Sequence, residues 1–377
     1  MSDYSRRNRA PAVLAAACLL LLTSADSLSA QDAGEFPKFR FDGQFRLRGE
    51  ADGRTVGVDP DFATLSRIRV GVRASLLDWI DVYAQVQDAR AWGSEQNTLI
   101  DASADLFDLH QGYADLGRKA TFTARLGRQE MPLADERLVG AVGWSNTGRS
   151  FDGVRVSGKD GSIEWTAFVM NVFERDSLLA VGLDPQLNQG EFDDGWLIGG
   201  FASGKYGDLT TEVTALFDRK AVTEESYTVN LRLHGRFGSA LYEAAAAYQF
   251  GPDRSAWFAS AKAGVAVGRG TVAAQIDYLS GDDDPTDERT KAFTTLYATN
   301  HKFYGYMDYF LAIPAQLDQR GLVDAMLRGT LTTSASTVVR LDLHRLLVAE
   351  DRGGDQALGT ELDLVGRWRF AAPGNLE

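Results

Sequence analysis

The chain predicts an all-β fold, a transmembrane antiparallel up-and-down β-barrel, and three observations carry that expectation. Stretch after stretch alternates apolar and polar residues with period two, and no segment holds a 3.6-residue period for long. The alternating stretches run ~10–14 residues, longer than the ~5–6 of an ordinary soluble strand and matched to a strand crossing a membrane at a tilt. The connections alternate short and long, as in barrels with brief periplasmic turns and larger outside loops. A soluble sheet with one wet face would also alternate, but it would not need strands of this length.

The 377-residue chain opens with a secretory pattern. Arg6, Arg7 and Arg9 form a basic start, Ala10 to Leu22 an apolar run, and small residues at Ala25 and Ala30 offer cleavage points. Residues 1–30 read as a Sec-type signal peptide and 31–377 as one outer-membrane barrel. The only cysteine, Cys18, lies within the apolar run, so the mature chain has neither a disulfide framework nor a thiolate metal site.

Sixteen strands follow in order, at 38–50, 64–76, 80–92, 106–116, 120–130, 149–158, 162–173, 194–204, 209–219, 226–237, 241–250, 256–267, 271–280, 321–333, 337–349 and 357–370. The first sets Phe39, Phe41, Phe45 and Leu47 against Arg40, Asp42, Gln44, Arg46, Arg48 and Glu50. The second sets Ile68, Val70, Val72 and Ala74 against Arg67, Arg69 and Arg73. In 226–237, Tyr227, Val229, Leu231 and Leu233 oppose Thr228, Asn230, Arg232, His234 and Arg236. In 357–370, Leu358, Leu362, Leu364 and Trp368 oppose Glu361, Asp363, Arg367 and Arg369. Tyr242 and Tyr248 with Phe250 bracket Ala244 and Ala246, the girdle pattern of aromatics at the membrane interfaces. Short turns fall at 77–79, 117–119, 159–161, 205–208, 238–239, 268–270 and 334–336. Long connections fall at 51–61, 93–105, 131–148, 174–193 and 281–320, with smaller ones near 220–226, 252–255 and 350–356. His301 to Phe310 could pass for a strand, but that would break the alternation, so 281–320 reads as one outside loop.

Charge and motifs narrow the function. With 39 Lys+Arg against 52 Asp+Glu the formal charge is −13, which argues against nucleic acid as a partner. His110, His234, His301 and His344 are scattered without metal-type spacing, and no cofactor motif stands out. No Gly-x-Ser-x-Gly elbow is present, and Glu361 with Asp363 share a strand face as any two inward carboxylates would, so the chain does not read as an enzyme. Asp282 to Glu288 lacks the spacing of a calcium loop and reads as a solvated acidic segment.

What stands out is the arginine content of the polar faces. Strand parity turns Arg40, Arg46, Arg48, Arg67, Arg69, Arg73, Arg125, Arg155, Arg232, Arg236, Arg340, Arg367 and Arg369 inward. Guanidinium keeps its charge at any working pH and binds carboxylates bidentately. A series of weak adjacent sites suits passage better than one tight site. The competing reading is a merely wet wall, since Asp42, Glu243, Asp277, Asp342 and Asp363 share the same faces.

Three stretches carry a resemblance. One runs from Gly127-Arg128-Gln129-Glu130-Met131-Pro132 through Gly143-Trp144-Ser145-Asn146-Thr147-Gly148-Arg149 to Phe151-Asp152-Gly153-Val154-Arg155-Val156. The others are Tyr278-Leu279-Ser280-Gly281-Asp282-Asp283-Asp284-Pro285 with Thr299-Asn300-His301-Lys302-Phe303-Tyr304-Gly305-Tyr306-Met307-Asp308-Tyr309-Phe310, and Leu358-Gly359-Thr360-Glu361-Leu362-Asp363-Leu364. Together they make the chain resemble the alginate-export family of outer-membrane barrels over nearly its whole mature length. The resemblance implies 18 strands and an arginine constriction, formed from several strands, that passes an anionic polysaccharide outward. Arg46, Arg73, Arg155, Arg367 and Arg369 are the best-placed candidates for that constriction. It also implies outer-membrane lipid as surroundings, an anionic polysaccharide or small anionic solute as cargo, and periplasmic export partners. A general diffusion or nutrient-uptake channel is the alternative on the same fold. The chain stops at Glu377 after one such strand where family members usually add a hairpin, so the expectation is that the first and last strands do not complete a ladder. Arg128 belongs to the resembling stretch, yet parity puts it beside Leu126 unless Gly127 forms a bulge.

Overall fold

A computed structural model describes residues 36–54, 61–92, 105–117, 121–173, 195–219 and 225–369. The secretory segment and the connections 93–104 and 174–194 lie outside the described residues.

Sixteen antiparallel strands form one sheet in chain order. They are β1 (Lys38–Asp52), β2 (Asp61–Leu77), β3 (Ile80–Trp92), β4 (Asp105–Leu116), β5 (Phe122–Gln129), β6 (Phe151–Asp160), β7 (Ile163–Phe173) and β8 (Gly195–Tyr206). Then come β9 (Leu209–Arg219), β10 (Glu225–Phe237), β11 (Ala240–Gly251), β12 (Arg254–Val267), β13 (Gly270–Leu279), β14 (Leu322–Thr332), β15 (Thr337–Leu347) and β16 (Ala357–Trp368). The ladder runs from β1 to β16, and among the described residues those two edges do not pair with each other. The eighteen-strand count concerns strands beyond those described.

Alternation decides which face each side chain takes. The outer face carries Phe41, Phe45, Val70, Leu231, Leu343 and Leu364, all exposed, with Tyr227, Tyr248, Phe250 and Trp257 toward the ends. This is the apolar band with aromatic girdles of a membrane barrel. The inner face is identified by what it touches: Gln249 bonds Thr294, Asp277 bonds Arg137, and Glu361 accepts from the Met307 N–H. Those partners lie in the two connections 130–150 and 280–321, which fold back onto the sheet from its long-loop end.

The connection 280–321 contains no strand. It has two short 3-10 turns, Asn300–Lys302 and Ala315–Leu317, and crosses the inner face as a packed loop. It is stitched to 130–150 by a parallel bridge between Val139 and Tyr297 and by backbone bonds from Gly140 N to Tyr297 O and Tyr297 N to Leu138 O, both 2.9 Å. The apolar core lies here, inside the sheet's curve. Met131, Leu133 and Val139 from one loop and Phe293, Tyr297, Tyr304 and Phe310 from the other pack on Phe168, Met170, Leu197, Leu216 and Phe258 of the wall. The alternation therefore fails at the long-loop ends of β7–β9 and β12, where inner positions are apolar because a plug covers them.

One smaller departure concerns the connection 252–255. It is a two-residue turn, Pro252-Asp253, between β11 and β12 and not an extended loop.

A candidate anion path beneath two infolded loops

The arginines sit on the inner face in an arrangement that an ordinary sheet avoids. Arg40 stands directly opposite Arg73, and Arg46 opposite Arg67, across β1 and β2. Arg125 stands opposite Arg155 across β5 and β6. Like charges paired across a ladder repel, and three such pairs occur in the first six strands.

They form two levels. Arg46 and Arg40 are six residues apart on β1, so the two levels are about 20 Å apart at ~3.3 Å per residue. Arg46 and Arg73 are therefore not neighbours, although their strands are.

At the upper level the guanidiniums hold the loop 143–147 chiefly by its carbonyl oxygens. Arg46 donates to Gly143 O and Ser145 O, both at 2.9 Å, and to Asn146 Oδ1 at 3.3 Å. Arg67 donates to Ser145 O at 3.1 Å and to Gln44 Oε1 at 2.8 Å. Arg69 donates to Thr147 O at 3.2 Å, Gln87 at 2.7 Å and the Glu130 carboxylate at 2.9 Å. Arg48 donates to Trp144 O, lies 4.5 Å from that ring and pairs with Glu50 at 2.6 Å. Four cations thus meet two carboxylates here, and neutral carbonyls supply much of the remainder.

A column of rings continues from Arg48 toward β15. Trp144 stacks on His301 at 4.4 Å, and His301 stacks on Tyr306 at 4.5 Å. Arg340 closes it, 5.2 Å from the Tyr306 ring and bonded to its hydroxyl. Cation–π contact at both ends favours the stack and ties both loops to strands at the two ends of the sheet, β1 and β15.

At the lower level Tyr113 and Asp115 organise the basic groups. Arg125 binds Asp115 through two bonds of 2.6 and 2.8 Å and lies 3.7 Å from the Tyr113 ring. Arg73 donates to Tyr113 Oη at 2.9 Å and reaches Asp115 at 3.4 Å. Arg155 is half-buried beside them, lining a groove with Asp115 and Arg125.

The other expected residues divide. Arg232 is spoken for by Glu212 at 2.7 Å, Glu243 at 3.1 Å and Asp135 at 3.4 Å. Arg340 also meets Asp342 at 3.1 Å. Arg40, Arg236, Arg367 and Arg369 are exposed near the short-turn end, where the Arg369 N–H bonds Ser336 O at 2.8 Å. No bulge turns Arg128 inward. It stays on the outer face with Leu126 and pairs with Asp152 at 2.6 and 2.8 Å. Gly127 adopts φ 122°, and a Cβ there would meet Gly112 O at 2.3 Å, so the glycine is needed for close strand approach.

Three arginines escaped the parity reading. Arg328 shares the face of Asp324 and Met326 and clasps Asp342 at 2.7 and 2.8 Å, so alternation alone could have found it. Arg137 and Arg149 come from the loop, where parity says nothing. Burial alone would lower the Arg137 pKa, but Asp277, Tyr304 and Asp135 overcome it and hold the group above its ordinary value. Burial is also the main cause that keeps the Tyr304 and Tyr297 hydroxyls protonated above the usual phenol range. At Arg149 burial dominates and lowers the pKa.

Comparison with known proteins bears on this arrangement. Three solved outer-membrane structures share the fold: opdK of Pseudomonas aeruginosa (12% identity, TM-score 0.57, 87% of this chain and 86% of that one), OccK8 (OprE) of the same organism (12%, 0.56, 86% and 88%), and a loop-deletion mutant of OmpT from Vibrio cholerae (11%, 0.50, 89% and 99%). No curated protein sequence matches the chain significantly. The family model described as Alginate export matches residues 38–312, which include the arginine pairs and nearly all of both infolded loops. The chain belongs to the alginate export family of outer-membrane β-barrels.

Proposed function

We propose that this outer-membrane barrel conducts an anionic solute, an acidic polysaccharide best of all, along the arginine wall of β1, β2, β5 and β6. The observation that carries the reading is the set of three directly opposed arginine pairs. A wall that only needs wetting gains nothing from facing guanidiniums, whereas a polymer bearing a carboxylate on each residue can bridge them. Departures from local rules of this kind concentrate at functional sites.

The contacts of the upper guanidiniums support one mode of passage. They hold loop 143–147 largely through neutral carbonyls, whereas a carboxylate adds the attraction of opposite charges and can take a guanidinium bidentately. An incoming uronate chain would compete for Arg46 and Arg67, release the loop and pass down to Arg73, Arg125 and Arg155. Glu130 and Glu50 keep the site from binding anions too tightly to let go.

The test is single-channel current in a planar bilayer with oligouronates added to one side. The proposal expects concentration-dependent interruptions from uronate oligomers and none from neutral oligosaccharides of equal length. Equal interruption by both would support the general diffusion channel instead.

A further inference from the structure

We infer that Asp342, His344 and Asp363 form a divalent transition-metal site on the inner wall of β15 and β16, with zinc the best fit. No part of the anion path requires it, and it stands on separate residues.

The register assembles the site. Asp342 and His344 are two residues apart on β15 and so share the inner face. Asp363 is directly opposite Asp342 on β16, and Glu361 directly opposite His344. One ligand atom from each of Asp342, His344 and Asp363 lies within 4.8 Å of the others, and all three residues are buried.

The histidine is oriented as a ligand would be. Its Nδ1 lies 3.0 and 2.9 Å from the two Asp324 oxygens, which can only accept, so Nδ1 carries the proton. In the neutral imidazole Nε2 then presents its lone pair toward Asp363. Metal-binding histidines almost always donate their other ring N–H to a carboxylate in this way. Among the described residues no hydrogen bond to Nε2 explains its direction. The side chain is 2% exposed, and the nearest acceptor, Asp363 Oδ2, is 3.7 Å away, too far for a hydrogen bond but suited to two atoms sharing one ion.

The charges agree. The carboxylates of Asp324, Asp342, Glu361 and Asp363 converge here with two guanidiniums, Arg328 and Arg340, both on Asp342. Buried charge of one sign is costly unless it is paired. An imidazole nitrogen with carboxylate oxygens suits zinc and its neighbours, whereas calcium takes six to eight oxygens.

The test uses the full chain in detergent, checked for native barrel by heat-modifiable gel mobility and stripped with EDTA. Zinc is then titrated against a chromogenic chelator. One equivalent should bind to the wild type. Asp363→Asn and His344→Gln should each weaken binding by about 100-fold or more, and Asp324→Asn by ~10–100-fold through loss of the orienting bond. Bound zinc should raise the thermal midpoint of the wild type and not of Asp363→Asn. Absence of stoichiometric uptake by the wild type would overturn the site. So would a folded His344→Gln or Asp363→Asn protein that binds zinc as tightly as the wild type.

Discussion

Arg137 reaches the wall from a loop, donating to Asp277 at 2.7 Å and to Tyr304 at 3.2 Å, with the Phe303 ring 4.0 Å from its guanidinium. Removing one partner of a buried pair strands the other's charge. Arg137→Met should therefore destabilise the folded protein by ~3–5 kcal/mol, measured by urea unfolding in lipid vesicles. Replacing both, as Arg137→Met with Asp277→Leu, should recover much of that loss. Gly140 tests the contact between the loops. A Cβ there would sit 2.2 Å from Thr299 Oγ1 and 2.7 Å from Glu136 Oε2, so Gly140→Val should part the loops and raise single-channel conductance. Unchanged conductance would mean that the loops do not obstruct the path. Neither residue's role was legible in the sequence, because a loop has no period from which direction can be read. The direction of Arg46 or Arg232 was legible, because a strand has a period of two.

At the scale of elements, period and turn chemistry carried most of the information. The sixteen expected strands match the sixteen among the described residues, with ends displaced by a few residues. The apolar inner positions Phe168, Met170, Leu197 and Leu216 were the misleading ones. The sequence shows their apolarity, but only the long-range return of 130–150 and 280–321 explains it. The opposite face offers a direct check on register. Leu231 is exposed on the outer face, opposite Val213 and Ala246. Leu231→Arg should cost ~2–4 kcal/mol near mid-membrane, whereas Asn230→Arg, one residue away on the inner face, should cost much less. Unfolding of both variants in vesicles measures the difference, and equal costs would mean the register is shifted by one.

At the scale of the whole molecule, a chain of formal charge −13 carries three opposed arginine pairs on the inner face of its first six strands. The acidic run Asp283 to Glu288 is exposed on the loop surface, with Asp283 held by Lys291, so part of that negative charge lies away from the arginine pairs. In a narrow path with low-dielectric walls, fixed charges nearby outweigh the distant total. The central claim is that these arginines make the path prefer anions. The measurement that tests it most directly is the reversal potential in a planar bilayer under a salt gradient, at low ionic strength because screening over ~10 Å at 0.1 M would mute the effect. The wild type should reverse at the potential of an anion-selective channel, and Arg46→Glu with Arg155→Glu should move it toward zero or past it. A cation-selective wild type, or a double variant whose reversal potential does not move, would contradict the account.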